Sequence, residues 1–148
     1  MRLVQAADDA ISHGMRPAEP KLTRNQELVL AILRAERAAM TAYEILGRGA
    51  GGGLAAPPQV YRALDKLVAL GLVHRLESRN RFIACDQAHD GGLPPVAFFI
   101  CGRCDRVIEL SALALEEDMR AKADGLGFRL DALHVEAVGT CSRCRGDG

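Results

Sequence analysis

The 148-residue chain predicts an α+β fold, with an N-terminal winged helix-turn-helix and a C-terminal α/β dimerisation domain built on a structural four-cysteine zinc site. Three observations carry that expectation. Two Cys-x-x-Cys pairs, Cys101–Cys104 and Cys141–Cys144, supply the four thiolates of a closed tetrahedral site, two from each tight turn. Helical stretches followed by a short hairpin fill the segment before Cys85. The formal charge also divides along the chain. Residues 1–84 hold 12 Lys/Arg and 8 Asp/Glu, a balance of +4, and residues 85–148 hold 7 and 11, a balance of −4.

Taken in order, Leu3, Val4, Ala7 and Ile11 have helical spacing and predict a helix over Leu3–Ser12 ending near Gly14, with His13 as a cation at its C-terminal end. Met15 to Lys21 carries two prolines and reads as a linker. Thr23-Arg24-Asn25-Gln26 fits a capping box ahead of the periodic run Leu28, Leu30, Ile32, Leu33. Thr41-Ala42-Tyr43-Glu44 is a second capping box, opening a short helix that stops in the glycine cluster Gly47–Gly53. That cluster follows a helix and precedes no Lys-Ser/Thr pair, so it reads as a flexible connector and not as a phosphate loop.

Pro57 and Pro58 suit the first turn of the next helix, with Val60, Leu64, Leu67 and Val68 on its buried face and Gly71 past its end. Leu72–Leu76 and Arg81–Ala84, joined by residues 77–80, predict the hairpin that serves as the wing. Residues 85–95 read as a hinge between a winged-helix DNA-binding domain (1–84) and a zinc-binding dimerisation domain (96–148). In the latter, Val96–Ile100 and Arg106–Leu110 predict strands around the first knuckle. Ser111 is the expected cap of a helix running to about Ala123, and Phe128–Leu130 and His134–Val138 are expected strands leading to the second knuckle.

Composition narrows the function. No apolar run approaches the roughly 18 residues of a membrane helix, and Asp8-Asp9 follow Met1-Arg2 too closely for a secretory signal. The expected compartment is the cytoplasm, where paired cysteines serve metal or redox chemistry before disulfides. Disulfides and a redox Cys-x-x-Cys pair are the alternatives to zinc, but a redox pair belongs to a thioredoxin-like unit in which two matched pairs are not expected. No nucleotide loop or acid–base constellation appears, so neither catalysis nor a small organic substrate is expected.

With these pieces in order, the chain resembles the ferric uptake regulator family, and within it the zinc uptake regulators. The likeness runs from about Leu22 to Cys144. It is carried by Pro57-Pro58-Gln59-Val60-Tyr61-Arg62-Ala63-Leu64, by Gly71-Leu72-Val73-His74-Arg75-Leu76-Glu77-Ser78, and by Phe99-Ile100-Cys101-Gly102-Arg103-Cys104 with Glu109. It implies a homodimeric repressor that grips double-stranded operator DNA when metal binds. It also implies two zinc ions per chain, one structural and one regulatory. Tyr61 and Arg62 match the family's recognition-helix pair, arginine being the commonest reader of guanine. Tyr43, Lys66, Arg75, Arg79 and Arg81 are expected to contact phosphate, although a solvated charged face explains each almost as well.

Cys101, Cys104, Cys141 and Cys144 match the family's structural site. Cys85 matches a cysteine that ligates the regulatory metal in zinc-sensing relatives, with His74 and Glu109 beside it. Thiolate, imidazole and carboxylate together suit Zn²⁺ more than Fe²⁺. The fourth ligand departs from the pattern: where relatives place histidines, this chain has Gly91-Gly92-Leu93-Pro94-Pro95, and His89 is the nearest candidate, with Asp86, Asp90 or water as alternatives. Three other readings stay open: an iron- or manganese-sensing regulator of the same family, a thiol or zinc enzyme using Cys85 and His74, and a zinc-stabilised interaction module that binds no DNA.

Overall fold

The structure, a computed structural model, describes residues 20–85 and 95–146. The expected Leu3–Ser12 helix, His13, most of the 85–95 hinge and His89 lie outside the described residues.

The first half is three helices and a hairpin. Helix α1 (Arg24–Glu36) and helix α2 (Ala42–Gly49) each begin on the capping box expected for them. The Thr23 N–H donates to Gln26 Oε1 at 3.0 Å and the Gln26 N–H returns to Thr23 Oγ1 at 3.4 Å. At α2 the corresponding Thr41–Glu44 bonds are 2.7 and 3.2 Å. Helix α3 (Pro57–Ala69) carries both prolines in its first turn, where their missing N–H groups cost nothing. Its preceding N–H groups are held by Gln59, whose Oε1 accepts from Ala55 at 2.7 Å and Ala56 at 3.2 Å.

The glycine cluster is more ordered than a flexible connector. A 3-10 turn (Ala50–Gly52) continues α2, Gly49 is buried, and a Cβ there would lie 2.3 Å from Leu54 Cδ1. Gly53 turns the chain at φ 111°, a conformation that favours glycine. Leu54 is thereby driven into a core with Val29, Leu33, Ile45, Val60, Leu64 and Leu67. Because Leu64 is fully buried there, Leu64→Ala is expected to lower stability by about 2–5 kcal/mol, read as a shift in the urea midpoint.

Strands β1 (Val73–Leu76) and β2 (Arg81–Ala84) form the antiparallel wing, and Met40 exchanges backbone bonds of 2.8 and 2.7 Å with Phe82, pinning the wing to the segment before α2. The second half is a three-stranded sheet ordered β4-β3-β5, made of β3 (Val96–Cys101), β4 (Val107–Ser111) and β5 (Val135–Gly139). Strand β3 is antiparallel to β4 and parallel to β5, with helix α4 (Leu113–Gly125) as the crossover. A short helix, α5 (Ser142–Arg145), follows.

Two expectations fail here. Ser111 does not cap α4: it belongs to β4, paired with Val96, and the N-cap is Ala112 without a side-chain bond. Phe128–Leu130 is not a strand. Gly127 turns left-handed at φ 67°, and the Phe128 N–H closes the end of α4 on the Ala123 carbonyl at 2.8 Å.

The two halves share a core. Ala39 and fully buried Leu76 pack with Phe98 and Ile100 of β3, flanked by Ile83, Val96 and Val107. The wing therefore lies against one face of the sheet. Among the described residues no helix is long and apolar enough to cross a membrane.

Candidate functional site

Two side-chain clusters have the make-up of metal sites. The first joins Cys101 at the end of β3, Cys104 on the turn after it, and Cys141 and Cys144 around α5, with all four sulfurs within 4.8 Å of one another. Backbone pairing makes this possible. Strand β5 runs beside β3 to Gly139, whose carbonyl accepts from the Gly102 N–H at 2.8 Å, so the second knuckle begins alongside the first. The 36 residues between the pairs are spent on β4, α4 and β5.

Cys104 Sγ and Cys141 Sγ lie 3.8 Å apart. Metal–sulfur bonds of about 2.3 Å place neighbouring sulfurs about 3.8 Å apart in a tetrahedron, far beyond the roughly 2.05 Å of a disulfide. The fit is to a Zn²⁺-sized ion. The cluster is also electrostatically prepared. The Cys141 N–H, followed by those of Arg103 and Cys104, brings the Cys101 thiol down to about 6, whereas Cys144, crowded by Cys104 and then Cys141, is pushed up to about 12. Four sulfurs this close cannot all ionise comfortably without a cation among them. Four protein ligands would leave no open position for catalysis.

The second cluster joins the two halves of the chain: His74 on β1, Cys85 just after β2, and Glu109 on β4. Glu109 Oε1 lies 3.8 Å from His74 Nε2 and 3.8 Å from Cys85 Sγ. The side chains of His74 and Glu109 are only 11% and 9% exposed. The His74 ring meets Phe98 edge-on at 5.2 Å and 61°, and Phe98 is the direct β3 partner of Glu109. On one tetrahedral zinc a nitrogen–oxygen pair stands about 3.3 Å apart and a sulfur–oxygen pair about 3.6 Å, so a closure of a few tenths of an ångström would bring these donors onto one ion. Among the described residues the cluster has three members.

Of the basic and aromatic residues expected to face DNA, Tyr61, Arg62 and Lys66 all lie on α3. Arg62 and Lys66, one turn apart, are exposed, and Tyr61 leans partly on the core. Tyr43 on α2 is 67% exposed. The wing cations have partners within the chain. Arg75 lies over the Phe82 ring at 5.9 Å and donates to Asn80 at 3.3 Å; Arg79 pairs with Asp105 at 3.4 Å; Arg81 donates to the Ala39 carbonyl at 2.8 Å and pairs with Glu44 at 3.3 Å. The Thr41 N–H, with Arg81 as a smaller contribution, holds the Glu44 carboxyl below its usual range against the opposing effect of burial. Sequence reasoning missed Phe98 and Glu136, because their positions emerge only from strand register.

No protein-family model matches the chain. The zinc uptake regulation protein of Escherichia coli (strain K12) is 38% identical over 126 residues, covering 84% of this chain and 72% of that protein. The chain belongs to the zinc uptake regulator family. Among solved zinc uptake regulators, holo XcZur superposes with a TM-score of 0.78 at 37% identity, covering 85% of this chain and 87% of that one. A zinc uptake regulator complexed with zinc and DNA gives a TM-score of 0.75 at 36% identity, covering 86% and 85%. The iron-bound ferric uptake regulator of Francisella tularensis gives 0.58 at 17% identity, covering 88% and 98%, a likeness of fold between the zinc and ferric regulators.

Proposed function

We propose that this zinc uptake regulator is a zinc-responsive transcriptional repressor, acting in the cytoplasm, which binds operator DNA as a metal-loaded homodimer and controls zinc uptake genes. It works by binding and turns over no substrate. The observation that carries this reading is the His74–Cys85–Glu109 cluster, with two donors beside the wing and one on the sheet. The kinship with a regulator solved together with zinc and DNA supports the same reading.

Zn²⁺ would supply a cation that binds thiolate, imidazole and carboxylate together. Cys101, Cys104, Cys141 and Cys144 would hold the structural ion and keep the sheet folded. His74, Cys85 and Glu109, with His89 as the proposed fourth donor, would hold the regulatory ion and fix the angle of the wing against residues 96–148. That angle sets the spacing of two α3 helices in a dimer, so a ligand that favours one angle shifts the population able to bind DNA. Half-exposed Phe99, Ile108 and Leu110 give the sheet an apolar face suited to a second copy.

On α3, Arg62 is the proposed reader of base edges, with Tyr61 beside it; Lys66, Tyr43 and the wing arginines Arg75, Arg79 and Arg81 are proposed contacts to phosphate. The test is fluorescence anisotropy of metal-transport promoter DNA as buffered free Zn²⁺ rises, with Mn²⁺ in parallel. Binding is expected to appear with zinc, and binding driven by Mn²⁺ alone would reject the zinc assignment. Arg62→Ala is expected to cost about 1–3 kcal/mol of operator affinity, seen as a lost preference over scrambled DNA.

A further inference from the structure

Phe98 sits at the centre of one rung of the sheet, paired with Glu109 on β4 and with Glu136 on β5. Direct partners across a ladder project to the same face, so the rung presents carboxylate, ring and carboxylate to the wing. Its Glu109 end approaches His74 and Cys85, and its centre packs on the His74 ring. Its other end does something the metal cluster does not require. The two Glu136 carboxylate oxygens accept the backbone N–H groups of Glu77 and Ser78, the latter at 2.9 Å, at the turn of the wing. Although burial opposes it, these bonds and the Ser78 hydroxyl hold the Glu136 carboxyl below its ordinary range, so it is the charged acceptor. The adjacent Arg79–Asp105 pair crosses the same boundary.

We infer that Glu136 is a positioning residue that clasps the tip of the wing to the sheet independently of the regulatory metal, making the wing tip a pivot for the DNA-reading half. This rests on the regulatory role proposed above for His74, Cys85 and Glu109. With both ends of the rung engaged, the wing is held at two places and its angle is fixed. With the Glu109 end released, the Glu136 end keeps the halves attached, and the remaining motion is rotation about residues 77–78. The fully buried Leu76, next to that turn, packs on the sheet beside the pivot.

The test is amide hydrogen exchange at Glu77 and Ser78 in the full chain, combined with operator affinity at saturating zinc. Protection of both amides is expected in the zinc-loaded wild type and in Cys85→Ser, which lacks a regulatory ligand. Glu136→Gln keeps the shape, but its amide can accept one N–H and opposes the other. It is expected to lose about tenfold of that protection and to weaken operator binding about tenfold with zinc content unchanged. Glu136→Ala should lose the protection altogether. Free exchange of these amides in Cys85→Ser would overturn the metal independence, and unchanged protection in both Glu136 variants would overturn the clasp. A wild type that binds no DNA would sink the repressor reading, while the exchange measurement would still decide the clasp.

Discussion

Cys101→Ser is expected to unfold the C-terminal half and leave the chain unable to dimerise. Cys101 ends β3, its N–H donates to the Arg106 carbonyl at 2.9 Å, and its sulfur accepts the Cys141 N–H at 3.4 Å. Both knuckles therefore converge on this residue. The half it serves is small and poorly buried: besides Phe98, Ile100 and Cys101, its buried apolar residues are Ala112 and Ala123. Structural Zn²⁺ in comparably small units contributes about 10–16 kcal/mol of apparent binding free energy, more than a small apolar core supplies. The variant should lose the chelator-resistant zinc and sediment as a monomer, and its β5 amides should exchange freely. A folded dimer of normal zinc content would reject the structural role of the four cysteines.

Cys85→Ser should do the opposite, leaving fold, dimer and tightly held zinc intact while weakening the zinc response. Cys85 lies at the edge of the wing, and its backbone N–H donates to the Leu72 carbonyl at 3.0 Å, a bond that serine keeps. Only the sulfur near Glu109 is lost. A hydroxyl is a far poorer zinc ligand than a thiolate, and even residues behind the direct ligands typically cost 10–100-fold in metal affinity, so a loss of about 100-fold or more is expected. The midpoint of zinc-dependent DNA binding should move to higher free zinc by the same factor. An unmoved midpoint would remove Cys85 from the regulatory site.

What was legible in the sequence was what short spacing decides. Cys-x-x-Cys brings two sulfurs together by local turn geometry, and Thr23–Gln26 and Thr41–Glu44 satisfy helix-end N–H groups within one turn. The wing, the α3 prolines and the buried α3 face were likewise local patterns. Ser111 misled because its capping chemistry competes with pairing to Val96, and the ladder won. Phe128 misled because a left-handed Gly127 folds its N–H back onto α4. The glycine cluster looked loose because packing of Gly49 on Leu54 involves no side-chain signal. Glu136 carries no signal of its own within the expected His134–Val138 strand, since its opposition to Phe98 depends on a register across 38 residues that no local pattern reports. Arg79 and Arg81 were expected at phosphate or on a solvated face, and their ion pairs were not legible because Asp105 and Glu44 are remote in sequence.

The most direct test of the zinc switch is to measure zinc occupancy and operator affinity on the same samples as buffered free Zn²⁺ is raised. Two classes of zinc are expected per chain, one retained against chelator and one exchangeable. Operator affinity should follow the exchangeable class alone, and in Cys85→Ser both that class and the DNA response should move together. DNA binding that is already complete with one zinc per chain, and unchanged as the second binds, would contradict the assignment of His74, Cys85 and Glu109 as the switch.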